Sequence, residues 1–476
     1  MDLSRNLSQL RTAAPLFAAI AVVALLYFPS LQTLWKKWIL WDQDLAHSIP
    51  TIGVMLLLLA RKPYDPVAAK EPLSLFYWLQ IFALTLCSLS WYFFESLSIS
   101  LPAYFALIAA LCLFISTSLS RPLLWRVLPC IGLLIFTIPI WSELTSMLVN
   151  LSSLIVGQAV KISQITVLLD GNSLFLPSGT IYIADGCSGI RYLIIALLMG
   201  YILILINQYS LSTALLTLAI ALVLGLFANW LRIYLLVMIG YHTEMKSSLM
   251  GDHEFFGWVV FACILVPSIY FAPISKPERK AIGIPKRPRL LPLVPLALGP
   301  LLLYFSTSTS PNNNPLNLEH LASFQTPELQ PLGARLNTRI PLKEQKVIAL
   351  DGLPIKVSLF TNTPQGNRDE IVPFIAPLTN GAEWTLERSI ANLDDYKFEV
   401  YKSIGGAKRI VIARQYIVGT MRTSNYWMAK FIQIIAKANN NNYFGLVTLQ
   451  TNCKKDCTEE IAQLRIALPT ISTQPH

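Results

Sequence analysis

Three side chains able to do acyl-transfer chemistry lie at the ends of three consecutive apolar runs. Cys187 stands in Gly186-Cys187-Ser188-Gly189-Ile190-Arg191-Tyr192, directly ahead of a long apolar run. Arg232 sits in Asn229-Trp230-Leu231-Arg232 near the end of the next run, and His253 in Gly251-Asp252-His253-Glu254-Phe255 just before the one after. A helix start offers unpaired amide hydrogens and the positive end of the helix dipole, and both favour a thiolate over a thiol. Thiolate is the nucleophilic form; histidine supplies general acid–base catalysis and arginine can hold a developing oxyanion. Arg191, four residues after Cys187 on the same helical face, adds positive charge. Asn229, three residues before Arg232, is placed to orient it, and Asp252, with Asp185 and Glu254, is able to tune His253 or meet a substrate. Each residue alone also has an ordinary reading: a cysteine chosen for size, an arginine snorkelling to head groups, a solvated loop histidine and solvated loop carboxylates.

These residues need elements that bring them to one place, and the composition says which. The 476 residues are 54% hydrophobic and 13% charged, where a soluble domain carries about 25% charged residues. That balance excludes disorder, a coiled coil and an ordinary cytosolic enzyme. The apolar residues concentrate in runs long enough to cross ~30 Å of hydrocarbon. Nine spans are expected, at 13–31, 45–60, 73–94, 101–117, 123–141, 188–206, 211–238, 255–271 and 290–305. The first resembles a signal-peptide core, but no cleavage site follows it, so it is read as a retained span. Segment 145–169 contains Asn150, Gln158, Lys161 and Gln164 and is read as an amphipathic or re-entrant piece.

Orientation follows from the basic residues. With the N-terminus inside, thirteen lysines and arginines fall in inner loops and adjoining span ends, against six outside, among them Arg191 and Arg232. The net charge of +10 is therefore a topology signal, and no zinc-finger spacing or basic-aromatic stripe points to nucleic acid. Nine spans place the tail outside. The expected fold is thus a polytopic α-helical membrane protein, residues 1–306, followed by an extracytoplasmic α+β domain, residues 307–476. In that tail, 398–401 and 408–418 read as strands and 426–436 as a helix, while 311–315 and 439–442 read as loops. Cys453 and Cys457, one helical turn apart, are open to pairing in an oxidising space or to standing as free thiols. Ahead of Cys187, 173–176 and 180–184 read as two short strands joined by a tight turn at 177–179. No cofactor or metal is expected.

With those motifs in place, the chain resembles the exosortase/archaeosortase family of membrane cysteine transpeptidases over roughly residues 40–270. The resemblance rests on Cys187-Ser188-Gly189-Ile190-Arg191 with its lead-in, on Asn229-Trp230-Leu231-Arg232, and on His253 followed by Gly257-Trp258. Weaker pieces are Trp41-Asp42, His47-Ser48-Ile49-Pro50 and Phe136-Thr137-Ile138-Pro139. It implies that Cys187, Arg232 and His253 form the catalytic set. It also implies a bacterial inner-membrane enzyme acting at the outer face on secreted proteins with a C-terminal tripartite signal: a short motif such as Pro-Glu-Pro, an apolar helix and a basic cluster. The processed protein passes to an acceptor, and membrane lipids are the other expected partner. Gly186 departs from the family, where alanine often precedes the cysteine. The tail is loosely similar to accessory domains that accompany exosortases of the cyanoexosortase branch. A transporter fits poorly, because buried carboxylates and internal repeats are lacking. The rival expectation is a non-enzymatic scaffold for exopolysaccharide export or assembly.

Overall fold

Inside a bilayer the backbone must pair with itself, so apolar runs with few charges resolve into helices. The computed structural model describes all of the chain except residues 1–2, 41–43, 68–73, 98, 251–252, 276–280, 306–332, 337, 339, 351, 363–370, 374–377, 382, 394, 405, 407, 440, 442 and 472–476. Asp252, Trp41, Asp42 and segment 311–315 therefore lie outside the described residues. The chain divides into two compact units, Met1–Leu169 with Leu174–Ser306, and Thr307–His476 with Asp170–Ser173.

The first unit begins with helices α1 (Leu3–Leu26), α2 (Phe28–Trp38) and α3 (Ser48–Ala60), then strand β1 (Tyr64–Val67). Helices α4 (Leu75–Ser96), α5 (Ser100–Ser118), α6 (Arg121–Ile131) and α7 (Thr145–Ile162) follow. Next come short strands β2 (Leu168–Asp170), β3 (Ser173–Leu176) and β4 (Gly179–Tyr182), then α8 (Ile190–Asn207), α9 (Leu211–His242) and α10 (His253–Tyr270). Strand β5 (Ile282–Pro285) and helix α11 (Leu293–Phe305) close the unit. Serine caps set several starts: Ser74, Ser120 and Ser210 accept from the amides of Tyr77, Leu123 and Thr213.

Six described helices are long and apolar enough to cross a membrane, or up to seven if a bent pair counts as one; α3 and α11 are shorter apolar helices. Two expected spans differ in form. Segment 13–31 is not one rod, because the chain turns by 88° between α1 and α2, where Pro29 occupies the first turn of α2. Segment 123–141 is broken too: α6 contains Pro129 and gives way to a 3₁₀ helix over Gly132–Thr137. Segment 145–169, expected as an amphipathic or re-entrant piece, lies largely within Trp141–Ile162, which is by length and composition a candidate span. Its contacts lie along the C-terminal half of α9: Ser152 accepts from Asn229 Nδ2 at 3.3 Å, and the Ser163 and Tyr234 hydroxyls are 2.8 Å apart.

The loops assemble at two opposite rims. At one, β1 pairs in parallel with β5, Arg289 N donates to Ser118 O, and Ser118 Oγ donates to Arg289 O. Lys62 Nζ donates to the Arg126 carbonyl at the same rim. At the other, Trp38 Nε1 donates to Thr137 O and His47 Nε2 donates to Phe136 O, both at 2.8 Å. Residues 64–67 and 282–285, in loops assigned to one side from their basic residues, thus meet each other in the structure.

The second unit contains an antiparallel sheet of β6 (Leu342–Leu350), β7 (Leu353–Asn362), β8 (Trp384–Leu393), β9 (Tyr396–Ser403), β10 (Arg409–Val418), β11 (Met421–Thr423) and β12 (Phe444–Cys453). The order is β6-β7-β12-β10-β9-β8, with β11 paired to β10. Alternating side chains build a core on each face: Val357, Val400, Val411 and Leu449 with Leu464 of α13 (Thr458–Ile471), and Phe360, Ile412, Tyr416 and Phe444 with Ala429 of α12 (Tyr426–Ala438). Cys453 and Cys457 form a disulfide that joins the end of β12 to the start of α13. Replacing both with serine frees the unfolded chain from a short cross-link and is expected to cost about 2 kcal/mol of stability. Hydrogen–deuterium exchange on the full chain is expected to quicken across α13 while α8 and α9 keep their rates.

Candidate active site

Small residues let α8 and α9 approach closely. A Cβ on Gly225 would stand 3.0 Å from Leu193 Cα, and one on Gly200 3.1 Å from Ala221 Cβ. At the start of α8 the approach is tighter. Gly189 takes a left-handed conformation (φ 79°), and a Cβ there would meet Asn229 Cγ at 2.4 Å. The preceding turn is thereby laid against α9. Asn229 Nδ2 donates to Cys187 O at 2.9 Å, and Cys187 N donates to Ala184 O at 2.8 Å. Cys187 is a free, half-buried cysteine held through its main chain on both sides. It lies in the 3₁₀ turn Asp185–Cys187, ahead of the Gly189 cap, rather than in the first turn of α8.

One turn further along α9, Arg232 is 3% exposed and its Nη2 donates to the main-chain oxygen of His253 at 3.4 Å. Its guanidinium lies 5.6 Å from the Tyr192 ring centroid, a cation–π contact. Tyr192 is flanked by Trp258 and Phe261 of α10. Gly257 makes the crossing possible, since a Cβ there would stand 2.2 Å from Tyr192 Oη and 2.5 Å from Arg232 Nε. Thus α9 grips the two neighbouring loops by their carbonyls: Asn229 holds that of Cys187 and Arg232 that of His253. Among the described residues Arg232 makes no ion pair, and its Nε is buried without a hydrogen-bond partner. A buried guanidinium left in that state is poised for an anion.

The electrostatics at the thiol come from several directions. Burial favours the neutral thiol, the Arg232 guanidinium favours the thiolate, and the Glu254 carboxylate opposes it. Arg191 does not have the part assigned to it from helical spacing. Its guanidinium turns to Asp44 at 3.7 Å and Glu254 at 3.8 Å, tying the loop before α3 and the start of α10 to the start of α8. Burial holds the Asp44 carboxyl above the usual carboxylate range, and Arg191 pulls it back. Asp185 is exposed in its turn.

The structure therefore assembles Cys187, Asn229, Arg232 and the backbone of His253, which opens α10. It adds Asp44, Ser152 and Tyr192, which sequence reasoning passed over. Tyr192 carried a readable signal, an aromatic one residue after Arg191 at a helix start. Asp44 carried none, because only tertiary packing brings it to Arg191.

A family model described as transmembrane exosortase matches residues 35–270, a segment that holds every residue of this site. The chain belongs to the exosortase family. Comparison with curated proteins and with solved structures returns no match. Exosortase membership makes this an integral membrane protein of a transpeptidase or protease family, with an additional C-terminal domain beyond the matched segment. Gly257→Ala tests the crossing that seats Arg232. The added methyl is expected to cost about 1–3 kcal/mol by overpacking, read as a lower Tm of the solubilised exosortase. Gly186→Ala, where nothing lies within 4 Å of the added carbon, is expected to leave Tm unchanged.

Proposed function

We propose that this exosortase is a cysteine transpeptidase that cleaves C-terminal sorting signals of secreted proteins. The observation that carries the reading is the buried Arg232 guanidinium, without an ion-pair partner among the described residues, gripping the His253 carbonyl one helical turn from the asparagine that grips Cys187. In the proposed reaction, Cys187 Sγ as thiolate attacks a backbone carbonyl carbon of the substrate. The carbonyl oxygen becomes an oxyanion, which Arg232 stabilises. The C–N bond then breaks, His253 gives its proton to the leaving amine, and a thioester remains on Cys187. An acceptor nucleophile gives up its proton to His253 and displaces the sulfur, restoring the thiolate.

Substrates with a Pro-Glu-Pro-type motif, an apolar helix and a basic cluster suit an active site at a membrane rim. The helix would lie in lipid beside α8–α10 and bring the motif to the level of Cys187. With 145–169 taken as re-entrant rather than crossing, the basic-residue asymmetry supports an extracytoplasmic site at the bacterial inner membrane. The Cys453–Cys457 disulfide supports the same side for the tail, since such bonds persist in oxidising compartments.

In cells expressing Cys187→Ala, full-length substrate precursor is expected to accumulate while enzyme abundance holds. Mass spectrometry of the wild-type enzyme with a slowly resolved substrate is expected to find a thioester on Cys187. Unchanged processing in Cys187→Ala would overturn the proposal and favour the scaffold reading. Arg232→Gln is expected to lower kcat by about 10²–10³-fold, the usual penalty for losing one oxyanion donor, with KM much less affected. For sidedness, an impermeant maleimide applied to reduced intact spheroplasts is expected to label Cys453; absence of label would place the tail inside.

A further inference from the structure

The two helices that cover the tail's sheet differ on their outward faces. On α13 the described outward residues are Ala462, Gln463, Arg465 and one large apolar side chain, Ile466, after Glu459 and Glu460 in the first turn. Helix α12 turns Ala429, Ile432 and Ala436 to the sheet, yet its other face is apolar as well. Trp427 is 70% exposed, Met428 52%, Phe431 61% and Ile435 39%. At about 100° per residue these four fall within an arc of about 100°. Met421 of the adjacent strand β11 is exposed beside them. The helix carries Lys430 and Lys437 and no acidic residue.

An aromatic-rich apolar stripe on a helix with basic and no acidic charge suits the boundary between head groups and acyl chains. Chain connectivity favours lipid as the occupant. The chain that ends α11 at Phe305 in the membrane unit resumes as strand β6 at Leu342, so the tail is covalently tethered beside a bilayer. The tether keeps that surface at high effective concentration, which makes even weak interfacial affinity sufficient. We infer that α12 is a lipid-binding surface: Trp427, Met428, Phe431 and Ile435 insert at the bilayer boundary and seat the tail on the membrane to which it is attached.

The test uses the full chain in nanodiscs of mixed neutral and anionic lipid containing a phospholipid with a diazirine near the top of its acyl chain. After illumination, peptides are mapped by mass spectrometry, with the α4 and α9 peptides as the positive control. The expected result is label on the α12 peptide at a level comparable with the spans and several-fold above that on the α13 peptide. Trp427→Glu/Phe431→Glu is expected to remove the α12 label and leave that on α4 and α9, with hydrogen exchange of β12 confirming that the sheet is intact. Label confined to the spans in the wild-type chain overturns the inference. Radical footprinting of Met428 then separates a free face, oxidised readily, from one covered by a protein partner.

Discussion

A guanidinium buried among apolar helices is stable only if something nearby takes its charge or its hydrogens. Arg232 meets that condition in part: a carbonyl at one nitrogen, an aromatic face alongside, and one N–H left over. The rest of the site is arranged around it. Glycine at 257 lets α10 approach near enough for its first carbonyl to reach the arginine, and glycine at 189 lets the cysteine turn lie on the same helix one turn back. Were α9 to rotate, both loops would lose their anchors at once, because the two contacts come from residues three apart on one face.

What could be read from the sequence was what is costly. A charge within an apolar run demands a reason, so Arg232 stood out, and so did polar motifs at the ends of the runs beside it. The break at Tyr27 was hidden because apolar residues continue through it; Pro29 was the signal, but so near the end of the run it also reads as the stop of a single helix. Pro129 was similarly masked by the length of its run. Arg191 illustrates the limit of helical spacing. Position i+4 gives the face a side chain leaves from, but its partner was decided by Asp44, distant in sequence and invisible to periodicity.

The tail was legible as strands and a helix over 398–401, 408–418 and 426–436, and each element extends by a few residues or starts within one of the boundary expected. The sheet order was not legible, since β12 pairs between β7 and β10, which precede it. Nor did the sequence show α12 as apolar on both faces: an amphipathic count records how many apolar residues there are, while the sheet decides which of them are used.

The parallel pairing of β1 with β5 fastens the third and the last helix of the membrane unit together at the rim away from Cys187. The other rim is joined differently: Trp38 and His47 hold the carbonyls of Thr137 and Phe136, and the Arg191 guanidinium stands 3.7 Å from Asp44 and 3.8 Å from Glu254. Contacts between charges weaken with added salt and with protonation of a carboxylate, whereas a ladder of backbone hydrogen bonds does not. Acid and ionic strength therefore act on one end of the unit and leave the other fastened.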